Sequence, residues 1–147
     1  MSEKNYDPRM HSAEHILNQV MVRNFSCSRS FNAHIERRKS KCDYYLPKAL
    51  SQDDINNISK QVNEIILSRL NITETYVSIE EASRFVDLSK LPENVGQNIR
   101  IISVGNFDHC ACIGPHVNNT IEIGKFEIIS SDFSNGIARI RFKLENN

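Results

Sequence analysis

Apolar positions recur along the chain with two different periods. Met10, Ala13, Leu17, Val20 and Met21 fall at helical spacing behind Asp7-Pro8, an N-cap followed by a residue favoured at the first helical position. This pattern predicts a first helix ending within residues 22–24. Ile55, Ile58, Val62, Ile65 and Ile66 form a second helical stripe behind Ser51, with Asp53 and Asp54 in the first turn. Ser78-Ile79-Glu80-Glu81 has the form of a capping box and predicts a short third helix.

Between these helices the pattern becomes that of strands. Residues 30–36, 41–46 and 75–77 are strand candidates, and Pro47 closes the second of them. Residues 99–104, 121–129 and 137–144 are stronger ones, while residues 88–97 read as irregular around Pro92 and Gly96. Asn135-Gly136 favours a tight turn before the last strand. Helices and strands are mixed without βαβ alternation. The expected fold is therefore α+β, a single domain over residues 1–147 with a mostly antiparallel sheet packed against two main helices.

Composition narrows the functional classes. Of 147 residues 39% are hydrophobic, enough for a core without disulfides. No apolar run approaches the roughly 20 residues that span a bilayer. Residues 1–9 are polar and show no secretory h-region, so the expected location is cytoplasmic. Lys+Arg and Asp+Glu balance at 18 each, so any contact with nucleic acid has to come from a local patch. Arg37, Arg38, Lys39 and Lys41 are the candidate, although a solvated turn has the same composition. Cys27, Cys42, Cys110 and Cys112 read as thiols or metal ligands rather than disulfides in that compartment.

Two pairs carry chemistry. His11 and His15 lie at i and i+4 of the first helix, a spacing that stacks both rings on one face about 6 Å apart. Cys112-Ile113-Gly114-Pro115-His116 can wrap a thiolate and an imidazole around the same ion. Either pair alone also fits an ordinary surface. Together they offer three imidazoles and one thiolate, a donor set that Zn²⁺ accepts in tetrahedral geometry. Four protein ligands suit a structural zinc and three plus water a catalytic one, and spacing does not choose between them. The helix reads His11-Ser12-Ala13-Glu14-His15, so it is not a metalloprotease H-E-x-x-H.

The chain resembles the editing domain shared by alanyl-tRNA and threonyl-tRNA synthetases, and in particular its short freestanding form, AlaX. Arg9-Met10-His11-Ser12-Ala13-Glu14-His15 is similar to the HxxxH motif of that family, and Cys112 to His116 to its CxxxH motif, usually CGGTH. Ser78-Ile79-Glu80-Glu81-Ala82, Lys90-Leu91-Pro92, Val104-Gly105-Asn106-Phe107-Asp108 and Glu122-Ile123-Gly124 resemble its connecting motifs in order. The resemblance implies Zn²⁺ held by His11, His15, Cys112 and His116. It also implies deacylation of mischarged tRNA in trans, with Ser- or Gly-tRNA(Ala) as expected substrate.

The implied partner is the tRNA acceptor end rather than DNA or a membrane, met by Arg37, Arg38, Lys39, Lys41, Arg139 and Arg141. Glu14 and His34 are candidate proton-transfer groups. Ile113-Gly114-Pro115 stands where the family has Gly-Gly-Thr, and Cys110 stands where it often has a polar or acidic residue. These four residues are the expected substrate pocket, and they bear on which amino acid is removed. The competing expectations are a divergent zinc-containing domain that binds tRNA or an amino acid without hydrolysis, and a structural zinc domain.

Overall fold

A computed structural model describes residues 7–82 and 98–145. In chain order the elements are α1 (Pro8–Phe25), β1 (Asn32–His34), β2 (Ser40–Tyr45), α2 (Gln52–Leu67), β3 (Ile72–Ser78), α3 (Ile79–Ala82), β4 (Asn98–Val104), β5 (Asp108–Ala111), a 3₁₀ turn (Thr120–Ile123), β6 (Phe126–Ser134) and β7 (Ile137–Leu144). The strands form two sheets, ordered β1-β2-β7-β6 and β3-β4-β5, in which every pairing is antiparallel. The expected α+β class is the observed one.

The local chemistry accounts for the helices. Asp7 accepts from the Met10 N–H and Pro8 opens the first turn of α1, which ends at Ser26 in the left-handed region. Ser51 and Asp54 close a reciprocal capping box on α2. Ile58, Val62 and Ile66 of α2 are buried, and with Met10, Ile16, Leu17 and Met21 of α1 they pack onto Tyr44, Ile140 and Phe142 of the four-stranded sheet. Ser78 caps α3 by accepting from the Glu81 N–H.

The expected irregular segment 88–97 lies outside the described residues. Three expectations on strands need correction. Residues 121–129 are not one strand: the chain turns through 3₁₀ geometry at Thr120–Ile123, and β6 starts only at Phe126. Asn119 and Glu122 form a capping box there, Thr120 is buried against the Leu70 N–H and the Ile66 carbonyl, and Gly124 at φ +87 redirects the chain. Apolar residues at 121 and 123 mimic strand alternation, but capping chemistry decides the local structure. β1 covers only Asn32–His34, and β3 extends to Ile72–Ser78 because its whole length pairs with β4. The Asn135-Gly136 turn is as expected, with φ +53 and +78, the two positive values of a type I′ hairpin.

β5 has no counterpart in the expectations. A turn at Gly105, whose φ is +51, returns the chain from β4 so that Val104 pairs with Asp108. Strand periodicity then places Asp108 and Cys110 on one face of β5, with Cys112 next in the same series. This face turns toward α1 and brings the two halves of the candidate site together.

Candidate metal centre

His11, His15, Cys112 and His116 each present a ligand atom such that all four atoms lie within 4.8 Å of one another. Two come from one face of α1, one from the residue that follows β5, and one from the loop beyond it. His11 and His15 are 2% and 3% exposed, and the rings of His11 and His116 stack with centroids 4.0 Å apart. The Cys112 Sγ stands 3.3 Å from His11 Nε2 and 3.6 Å from His116 Nε2. A tetrahedral zinc with usual Zn–N and Zn–S bond lengths needs an N···S edge of about 3.6 Å, so the donors fit the ion.

The opposite ring nitrogens fit as well. His11 Nδ1 donates to the Pro115 carbonyl at 3.0 Å, which leaves its lone pair on Nε2, facing the sulfur. His116 Nδ1 is 2.9 Å from the buried Ser12 hydroxyl, which also accepts from the Val117 N–H. His15 Nδ1 lies 3.7 Å from Asp108 Oδ2. Arg100 holds the Cys112 turn by donating to the carbonyls of Cys112 and Gly114. Gly114 has φ +109, which a side chain would strain.

Electrostatics hold His11, His116 and Cys112 in their neutral forms. Burial, with His15 and Arg100 adding positive charge nearby, lowers His11 to about 3 despite its bond to Pro115. Burial and the two neighbouring histidines hold His116 far below the imidazole range. Burial pushes the Cys112 thiol up to about 12, with Cys110 and Glu14 adding to the shift. Two imidazoles held neutral beside a neutral thiol offer a divalent cation their lone pairs, and its charge would displace the thiol proton.

The other expected residues are spread more widely. Glu14 is largely buried, with its Oε1 3.9 Å from His11 Nε2. His34 is 64% exposed on β1, beside Glu36, and does not belong to the cluster. Cys110 lies between Asp108 and Cys112 on the α1-facing side of β5, and the Ile113 side chain stands 60% exposed beside the cluster. Pro115 contributes its carbonyl to His11. Arg37, Arg38 and Lys39 are exposed in the β1–β2 turn, and Lys41 pairs in register with Arg141 on the adjacent strand. Arg139 and Arg141 are tied to Asp43 and Asp132, which offsets part of their charge. Ser12, Arg29, Arg100 and Asp108 carry no assigned role in the sequence reading: their parts in the site come from tertiary contacts.

Residues 99–141 match the second additional domain of threonyl and alanyl tRNA synthetases. The chain is 34% identical to an alanine–tRNA ligase of Fervidobacterium nodosum over 134 residues, which is 90% of this chain and 16% of that protein. Identity to the Campylobacter jejuni alanine–tRNA ligase is 33% over 134 residues, with the same two coverages. A Neisseria meningitidis alanine–tRNA ligase is 27% identical over 145 residues, covering 93% of this chain and 16% of the ligase. The chain thus spans about one-sixth of the length of these curated relatives. Over nine-tenths of its length it is similar to a segment of alanine–tRNA ligase, and it is an editing-domain-like protein of the second-additional-domain type.

Proposed function

We propose that residues 1–147 act as one editing domain, a cytoplasmic zinc-dependent deacylase that hydrolyses mischarged aminoacyl-tRNA presented in trans, with Ser- or Gly-tRNA(Ala) as substrate. The observation that carries this reading is the convergence of His11, His15, Cys112 and His116 in a chain similar to alanine–tRNA ligase. Zinc held by these residues would supply Lewis-acid polarisation when bound. Glu14, against His11 Nε2, is assigned to accept the proton of the attacking water. Water adds to the ester carbonyl carbon, the bond to the ribose oxygen breaks, and the proton passes to that oxygen as the tRNA leaves. Cys110, Ile113, Gly114 and Pro115 line the amino-acid pocket in this reading. His34, exposed and outside the cluster, is not part of it.

Arg37, Arg38, Lys39, Lys41, Arg139 and Arg141 are assigned to the phosphates near the acceptor end. Register supports this, because Lys41, Arg139 and Arg141 lie on one face of adjacent strands with the basic turn at its end. Four protein donors fill a tetrahedron, and that observation favours a second reading: a zinc-held domain that binds charged tRNA without cleaving it.

Deacylation of Ser-, Gly- and Ala-tRNA(Ala) and of Ser-tRNA(Thr) separates the two. The assay uses native protein, chelated protein and a His11→Ala, His15→Ala double variant. Release from one mischarged tRNA, lost on chelation and in the variant, is the expected result. Zinc binding and tRNA binding with no release from any species establishes the second reading.

A further inference from the structure

The three imidazoles of the centre are not held alike. His11 gives its Nδ1 proton to a backbone carbonyl and His116 faces a hydroxyl, both at hydrogen-bond distance. Among the described residues, His15 Nδ1 is the buried side-chain polar atom left without a hydrogen-bond partner. A carboxylate oxygen of Asp108 lies 3.7 Å from it. Asp108 is 1% exposed. A carboxylate so enclosed needs a countercharge, and Arg29 supplies it through two bonds, Nη1 to Oδ1 at 2.7 Å and Nη2 to Oδ2 at 3.3 Å. Arg29 comes from the segment joining α1 to β1, His15 from α1 and Asp108 from β5, so the triad ties three separate parts of the chain together.

We infer that Asp108, clamped by Arg29, is a positioning residue that receives the His15 Nδ1 proton and directs His15 Nε2 at the metal position. The inference rests on the zinc reading. An imidazole that donates to a carboxylate is fixed in one tautomer and is a stronger donor through its other nitrogen. At Nδ1, His11 faces a carbonyl and His116 a hydroxyl, whereas His15 faces a carboxylate. Arg29 accounts for the choice of clamp. Its fork occupies both oxygens of Asp108 and prevents the carboxylate from turning into the cluster as a ligand. A purely structural Arg29–Asp108 pair leaves the enclosed His15 Nδ1 unpaired, at a cost that buried donors rarely bear.

Zinc affinity, measured by competition with a chromogenic chelator, tests this in the native chain, Asp108→Asn and Tyr44→Phe. Tyr44→Phe removes a hydrogen bond to Asn18 of α1 away from the centre and sets the background for general destabilisation. The expected result is one zinc per native chain, about 10–100-fold weaker binding in Asp108→Asn, and native affinity in Tyr44→Phe. Equal affinity in native protein and in folded Asp108→Asn overturns the inference and leaves the metal centre standing. No zinc binding by the native chain overturns the zinc reading, and this inference with it. If Asp108→Asn does not fold, imidazole ¹⁵N spectra of the native zinc-loaded protein decide. His15 protonated at Nδ1 and metal-bound through Nε2 supports the inference, and the reverse assignment overturns it.

Discussion

Asn18, one turn beyond His15 on α1, holds the helix to the four-stranded sheet through a single oxygen. Its Oδ1 accepts from the Tyr44 hydroxyl at 2.7 Å and from the Ser30 N–H at 3.1 Å, and all three residues are buried. Asn18→Leu keeps the branched shape but removes the acceptor. Two enclosed donors are then stranded, each costing about 1–3 kcal/mol, or about 2–6 kcal/mol together. A central value of about 4 kcal/mol lowers Tm by about 8–16 °C in a chain of this size. Tyr44→Phe in the native background costs about 0.5–1.5 kcal/mol, because Asn18 keeps the Ser30 N–H. In the Asn18→Leu background the same change removes a stranded hydroxyl and restores about 1–3 kcal/mol. Urea unfolding of the four proteins followed by circular dichroism gives the cycle. The effect of Tyr44→Phe should change sign between backgrounds. If it destabilises Asn18→Leu as much as the native chain, the hydroxyl does not depend on Asn18 and the reasoning fails.

Arg100→Met removes both guanidinium bonds to the Cys112–Gly114 turn, and zinc affinity should fall about tenfold, the size of one charge-assisted hydrogen bond. Unchanged affinity in chelator competition means that the turn holds its shape alone. Asp43 titrates below the ordinary carboxylate range because Arg139 hydrogen-bonds to it, an effect that outweighs its burial. Its folded pKa is thus depressed, so its contribution to stability is present above the unfolded value and is lost as pH falls through the folded one. Arg139→Met should therefore be less stable than native at neutral pH, with the difference shrinking well below about pH 4; a difference that stays constant with pH refutes the pairing. Reversing charge at Arg37 and Arg38 should weaken tRNA binding and flatten its salt dependence, and an unchanged slope removes that turn from the interface.

The elements legible in the sequence are those whose local chemistry and burial agree. α1 and α2 have caps, stripes and lengths that say the same thing, and both appear with their expected starts. β7 and its Asn135-Gly136 turn are legible for the same reason. The 3₁₀ turn at Thr120–Ile123 was hidden because its apolar residues imitate strand alternation. β5 was hidden because its sequence, Asp-His-Cys-Ala, has almost no strand signal. It is a strand because it pairs with β4, and pairing is a tertiary fact.

The candidate centre divides along the same line. Its donors could be read from two spacings, because i,i+4 on a helix and a Cys-to-His turn each specify a pair without reference to the rest of the chain. The meeting of the pairs depends on β5, whose two-residue repeat sets Asp108, Cys110 and Cys112 against α1. The groups that orient the rings have no spacing of their own. Ser12 lies beside His11 in sequence yet serves His116, while Asp108 and Arg29 are 79 positions apart and meet only in the fold. A substituted CxxxH turn can keep its metal donors because the Pro115 carbonyl still accepts from His11 and the Gly114 carbonyl still accepts from Arg100. Ile113 and Pro115 therefore alter the side chains offered to a substrate more than the frame that holds the donors. If so, restoring Gly-Gly-Thr at residues 113–115 should change which amino acid is released while zinc affinity stays within a few-fold of native, and a loss of zinc would show that this turn is built around its own residues.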